Sequence, residues 1–301
     1  MKLWTATLAL TALPSVLAAQ EKATIAVVGG TTFGDPATFA KGLVEEQGSL
    51  TVETRAGKSP PIYRLRYQAV PFYYLRLHGT EDAPEDEPVG WNMVRAWAAL
   101  HQLGVTDVFG GATCGAINPA YDYDDLIVPD DFILIGNQRP QSILRAARIE
   151  RPGVFPSFAV PFCPDLRRLL LEQARRSPPG RVHERGVMLQ DDPGRFETPA
   201  EVRMMRTLGG DMVSHNVVTE AIYARQLGIH LALLNSISNP ATGVRPFSFE
   251  DMQNSVARIS TRAVPIVLEA VRAVASQGHT CGTSCTGDQY RGTYTKKESP
   301  K

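Results

Sequence analysis

The chain shows no excess of charge of either sign: 31 basic side chains face 31 acidic ones over 301 residues. That balance excludes a general attraction to nucleic acid or anionic lipid, so any anion site has to be local. Cysteine is scarce, four in all, which excludes a fold held together by a disulfide framework. Hydrophobic residues make up 43% of the chain, ample for a core without staples. No internal repeat and no second domain boundary interrupts it, and beyond the N-terminus no apolar run reaches membrane-spanning length.

What is there begins with Met1-Lys2, an apolar run from Leu3 to Leu17 broken by Pro14, and Ala18-Ala19-Gln20. A basic start, a short apolar stretch and small residues before a polar one describe a secretory signal peptide over residues 1–19. The expected mature protein is exported, secreted or periplasmic, and free of the membrane once the signal is removed. Cys114 and Cys163 lie in apolar or Gly-rich surroundings and read as interior. Cys281 and Cys285 fall in a polar, aperiodic segment, residues 276–301, expected to be a flexible tail. In an oxidising compartment these two cysteines are able to pair, which the sequence leaves open; a metal site with His279 is the weaker alternative, and no metal is expected.

Between these ends, residues 20–275 read as one α/β domain. Thr24 to Val28 is a β-branched run followed at once by Gly29-Gly30-Thr31-Thr32, a turn that lets backbone N–H groups and two hydroxyls face an anion. Such a turn is more often only a turn, and it matches neither GxGxxG nor a Walker sequence. Strand alternation ahead of Gly79 puts Arg76 and His78 on one face, where a guanidinium and an imidazole reach the same ligand. An acidic stretch, Glu81 to Glu87, follows. Trp91 to Leu103 is an amphipathic helix stopped by Gly104, and the next strand runs into a small-residue turn at Thr113.

The polar residues of Gly186 to Gly243 fall at strand ends and helix starts. Thr198-Pro199-Ala200-Glu201 is a helix start with a capping box, leaving Phe196 and Glu197 just outside it. Met212 to Ser214 is a short strand that ends in His215-Asn216. His230 to Asn235 is a buried strand running into Ser236-Ile237-Ser238-Asn239. A helix from Ser248 to Ala275 closes the chain, with a kink expected at Pro265.

The order GRFET-AE, a strand ending in two polar residues with a following TE, then ISN-A-G resembles the trimeric purine nucleoside phosphorylase and methylthioadenosine phosphorylase family over residues 23–275. Arg139-Pro-Gln-Ser142 and Val160-Pro-Phe162-Cys163-Pro164 resemble methylthioadenosine phosphorylase segments. The resemblance implies a phosphorylase/hydrolase-like three-layer α/β/α fold with a central mixed sheet, assembled as a homotrimer. It implies a phosphate site of Thr31, Thr32, Arg76, His78, Thr113 and Asn216, and a nucleoside site of Phe162, Phe196, Glu197, His215 and Asn239. Asn239 and His78 are the expected catalytic groups, inorganic phosphate the co-substrate, and no cofactor is expected. Glu197 paired with Asn239 matches a 6-oxopurine: the carboxylate accepts from N1–H and the amide serves N7 and O6. Methylthioadenosine phosphorylases usually have a Ser and an Asp there, and a further Asp at the position of Ala241. His215 stands where the family usually has Met, and either meets the sugar or is satisfied by a neighbour. Asn216 stands where the family has Ser or Thr. A nucleoside hydrolase and a non-catalytic nucleoside-binding protein are the rival readings.

Overall fold

The computed structural model describes residues 22–34, 39–78, 90–136, 138–151, 156–177, 180–191, 194–282 and 284–285. The expected signal peptide, the acidic stretch Glu81 to Glu87 and the chain beyond Cys285 lie outside them. No helix among the described residues is long and apolar enough to cross a membrane.

The elements run β1 (Ile25–Gly29), β2 (Glu45–Leu50), β3 (Glu53–Thr54), β4 (Gly57–Lys58), β5 (Ile62–Tyr67), β6 (Val70–Arg76) and α1 (Trp91–Leu103). Then come β7 (Asp107–Gly110), β8 (Thr113–Ala116), β9 (Leu126–Ile127), β10 (Asp131–Leu134), α2 (Ile143–Ala146) and α3 (Pro164–Arg176). The last third holds β11 (Val182–His183), β12 (Val187–Gln190), α4 (Pro199–Thr207), β13 (Met212–Ser214), α5 (Val217–Leu227), β14 (His230–Leu233), β15 (Asn235–Pro240) and α6 (Phe249–Gln277).

β1 explains the layering. All five of its residues are buried, as in a strand covered on both faces. Its alternate side chains go to opposite layers: Ala26 and Val28 join the core under α1 and α5, and Ile25 and Val27 join the core under α3 and α6. This is the expected three-layer α/β/α arrangement. Local chemistry sets the helix ends as read: Gly104 closes α1 in the left-handed region, and Thr198 and Glu201 form a complete capping box on α4. α6 runs unbroken through Pro265, which is exposed.

The central sheet is one curled surface that hydrogen bonding divides in two. The first part has the order β14-β7-β1-β6-β5-β2, the second β10-β12-β13-β8-β15-β9-β11. Two neighbouring strand pairs cross together from one part to the other, β7 into β8 and β14 into β15. At the crossing Leu234 N–H donates to Gly110 O at 2.9 Å, Ser236 N–H to Ala112 O at 3.1 Å, and Ala112 N–H to the buried Asn235 Oδ1 at 3.2 Å. A Cβ on Gly111 would lie 2.3 Å from Leu234 O, so only glycine lets the two backbones pass.

The C-terminal segment departs from expectation. Cys281 and Cys285 are free thiols, their sulfurs 3.5 Å apart, and Cys285 is buried against the body rather than loose in a tail. The chain folds back there because the Asp165 carboxylate, in the first turn of α3, accepts from the backbone N–H groups of Thr280 and Cys281.

The crossing gives a stability test. Gly111→Ala should lower unfolding stability by about 2 kcal/mol or more, because the obstructing atom is a backbone carbonyl in a sheet. Gly110→Ala, whose Cβ would meet only the movable Leu233 Cδ2 at 2.8 Å, should cost less. Urea midpoints compare the two, and equal midpoints would disprove a tight crossing.

Candidate active site

Parallel strands deliver their C-terminal ends to one rim, the usual ligand edge of an α/β sheet. β1 and β6 pair with Gly29 opposite Arg76, and Leu77 N–H donates to Gly29 O at 2.7 Å. The turn Gly29 to Thr32 and the segment Arg76 to His78 therefore leave the sheet side by side. A Cβ on Gly30 would lie 2.4 Å from the Cβ of His78, which explains the second glycine of the pair. Ser260 Oγ on α6 donates to the Thr31 and Thr32 carbonyls and holds the turn from behind.

Thr113 arrives from the second part of the sheet. Its hydroxyl lies 2.8 Å from that of Thr31, so two of the predicted anion-binding groups meet directly. Thr32 is buried with its hydroxyl unpartnered. Arg76 is half-buried at the end of β6. His78 is buried, and its Nε2 contacts the carboxylate of Glu220, a fully buried residue in the first turn of α5.

Asn216 caps that same helix. Its Oδ1 accepts from a guanidinium nitrogen of Arg139 at 2.6 Å, while another Arg139 nitrogen donates to His215 O at 2.6 Å. With its oxygen so engaged, the Asn216 amide has its N–H donors left to offer a ligand, the polarity an anion site needs. Arg139 is itself buried and packs across Gly90.

The second cluster sits where β12 and β13 end. His215 Nδ1 lies 2.8 Å from Asp191 Oδ1, and the ligating atoms of Asp191, Glu197 and His215 all fall within 4.8 Å of one another. The hydrogen bond to Asp191 raises the pKa of His215 above its ordinary value. Burial raises that of Glu197, which is 4% exposed. The trio is close enough to hold a cation, while the hydrogen bond already satisfies the imidazole.

Asn239 is buried on β15. Its Oδ1 accepts from Ser238 Oγ at 2.8 Å and its Nδ2 donates to Pro240 O at 3.0 Å, leaving one donor and one lone pair for a ligand. The loop after it packs on the start of α4, where Pro199 occupies the space a Gly243 side chain would need. Phe196 is 42% exposed and gathers with Phe247 and Phe249, ring centroids 6.0 Å from each. Phe162 does not join this group; it is 2% exposed and packs edge-on against Phe132. Glu220, Arg139 and Asp191 are the site residues that sequence reasoning missed. Glu220 reads only as part of the TE pair at the start of a helix, and Asp191 carries no signal of its own.

The family model of the phosphorylase superfamily matches residues 24–272. The chain belongs to that superfamily. It is an enzyme of the nucleoside phosphorylase type, a pentosyltransferase. It is 28% identical over 256 residues to the "Probable 6-oxopurine nucleoside phosphorylase" of Moorella thermoacetica, covering 84% of this chain and 94% of that protein. It is 28% identical over 240 residues to the S-methyl-5'-thioadenosine phosphorylase of Pyrococcus furiosus, covering 76% and 89%. The fold matches the crystal structure of a methylthioadenosine phosphorylase from an antarctic soil metagenomic library, with a TM-score of 0.73 at 21% identity over 89% of this chain and 92% of that one.

The Asp191–His215 contact has a pH signature. A raised histidine pKa stabilises the fold fully below the unfolded value of about 6.5 and is lost as pH rises through the folded value. Between pH 5 and 9, the stability difference between wild type and Asp191→Asn should be largest at the acid end, roughly 1 kcal/mol, and shrink on the alkaline side. Urea midpoints across that range check it; a constant difference would remove the contact's role.

Proposed function

We propose that the protein is an exported purine nucleoside phosphorylase acting on 6-oxopurine nucleosides, working as a homotrimer and needing no cofactor. The observation that carries the substrate reading is the buried Glu197 carboxylate set beside Asp191 and His215, together with Ala241, which packs in an apolar cluster with Val202 and Val213. An ionised Glu197 accepts from N1–H of hypoxanthine or guanine, whereas adenine presents a lone pair there. The apolar surroundings of Ala241 offer adenine no carboxyl group in return. Export rests on the signal-like stretch before Gln20.

In the reaction a phosphate oxygen attacks C1′ of the sugar, the C1′–N9 bond breaks, and its electron pair passes into the purine. The products are the free base and a pentose 1-phosphate. Thr31, Thr113, Arg76, His78 and the Asn216 amide hold the anionic nucleophile. Glu220 positions His78 and Arg139 positions Asn216. Asn239 supplies a hydrogen bond to the base as negative charge develops on it, an interaction stronger in the transition state than in the ground state. Phe196 is the apolar wall for the purine.

Base release from inosine, guanosine, adenosine and methylthioadenosine, with and without phosphate, tests the reading. Hypoxanthine and guanine should appear only with phosphate. Release without phosphate would make the protein a hydrolase, binding without release a non-catalytic receptor, and preferential adenine release would overturn the base assignment. Glu197→Ala should reduce kcat/KM for inosine by about a hundredfold or more, and Arg76→Ala should raise the KM for phosphate. Because burial raises the Glu197 pKa, activity on inosine should fall on acidification at a pH above the ordinary carboxylate value of about 4.3, as the base-accepting carboxylate becomes protonated. Phosphorolysis with an acid limb at the ordinary value would refute that role for Glu197.

A further inference from the structure

Away from the nucleoside site, three sulfurs and an imidazole converge at the edge of the first sheet part. Cys281 Sγ lies 3.6 Å from Cys163 Sγ, 3.5 Å from Cys285 Sγ and 3.5 Å from His230 Nδ1, and His230 Nδ1 lies 3.1 Å from Cys285 Sγ. One ligating atom each of Cys163, His230, His279 and Cys281 lies within 4.8 Å of the others. We propose that Cys163, His230, Cys281 and Cys285 form a tetrahedral Zn2+ site that ties the C-terminal segment to the body of the protein.

The spacings from Cys281 Sγ to the other three atoms are those the ion requires. Zn–S bonds of about 2.3 Å and Zn–N bonds of about 2.0–2.1 Å place tetrahedral ligand atoms roughly 3.5–3.8 Å apart. A disulfide needs its sulfurs about 2.05 Å apart, and no pair here meets that. Three thiolates with one imidazole select zinc over magnesium or calcium, which favour oxygen ligands.

Each ligand is held independently of the ion. Cys163 caps α3, and its N–H donates to Leu231 O at 2.8 Å; the His230 N–H donates to Thr106 O at 2.8 Å. Asp165 anchors Thr280 and Cys281 through their N–H groups at 2.6 and 2.9 Å. Ser284 closes the turn to Cys285 by bonding through both its N–H and its hydroxyl to Cys281 O. Around them, His279 stacks on His230 with centroids 4.2 Å apart, and its Nε2 lies close to the Asp107 carboxylate. Four protein ligands complete the coordination, so the site is structural and leaves no open position for chemistry. His230 begins β14, whose C-terminal end lies toward the nucleoside rim, so the ion and the active site sit at opposite ends of parallel strands.

The test uses the full chain purified without chelators, with metal content read by inductively coupled plasma mass spectrometry and chain mass by intact-protein mass spectrometry. About one zinc per chain is expected, falling at least tenfold in Cys163→Ser and in the Cys281→Ser/Cys285→Ser double variant. The double variant changes only the terminal turn and should keep its phosphorolytic activity while its Tm falls. Replacing zinc with Co2+ in the wild type should give the thiolate-to-metal charge-transfer band and the intense visible bands of tetrahedral coordination. A chain two hydrogens lighter with no zinc would show a disulfide and overturn the proposal. Free thiols that take up neither Zn2+ nor Co2+, or zinc retained by the double variant, would overturn it as well.

Discussion

The close passage of Leu234 over Gly111 is the constraint on which the rest of the structure depends. There two parallel strand pairs leave one part of the sheet and enter the other without breaking their hydrogen bonding, because Leu234 N–H reaches Gly110 O and Asn235 Oδ1 takes the Ala112 N–H. A buried amide left unpaired at that point would cost about 1–3 kcal/mol, so the Asn235 side chain is as much a part of the backbone network as any strand. The consequence is functional. Thr31, Arg76 and His78 come from the first part of the sheet, while Thr113 and Asn239 come from the second. Only a crossing this tight sets the Thr113 hydroxyl 2.8 Å from that of Thr31.

What the sequence made legible was mostly local. The buried run of β1, the stop at Gly104 and the Thr198–Glu201 box are decided by residues within a few positions of one another, and each appears as read. The predicted anion-binding hydroxyls of Thr31 and Thr113 do meet, since strand ends carry their polar clusters to the same rim. The curled division of the sheet was not legible: Gly110 to Ala112 reads as any small-residue turn, and the β14–β15 passage reads as one apolar run. Phe162, flanked by prolines, fits a pocket wall or a core equally well by composition, and within the chain it contacts Phe132.

The supporting partners were illegible for a different reason. Glu220 meets His78 across 142 positions, and Arg139 meets Asn216 across 77. Cys163 comes to Cys281 across 118. No periodicity or spacing rule connects such pairs; they are consequences of the layers. A buried carboxylate or guanidinium does carry one general signal, that it cannot stay buried unless paired, but burial itself is known only once the layers are placed.

On the proposed reading, an anion site and an acidic base site share one rim. Glu220 is fully buried, and a bare carboxylate there would repel phosphate. Its contact with His78 Nε2 gives that buried carboxylate a partner. On the base side the balance runs the other way. Asp191 and Glu197 lie around a single imidazole, so even a protonated His215 leaves net negative charge when both carboxylates are ionised. On the proposed reading that charge suits a base presenting N–H groups and disfavours a second anion. On the proposed reading the two halves of the site differ in sign: Arg76 and the Arg139-bound Asn216 lie with the single Glu220–His78 pair, whereas two carboxylates lie with the one imidazole of His215.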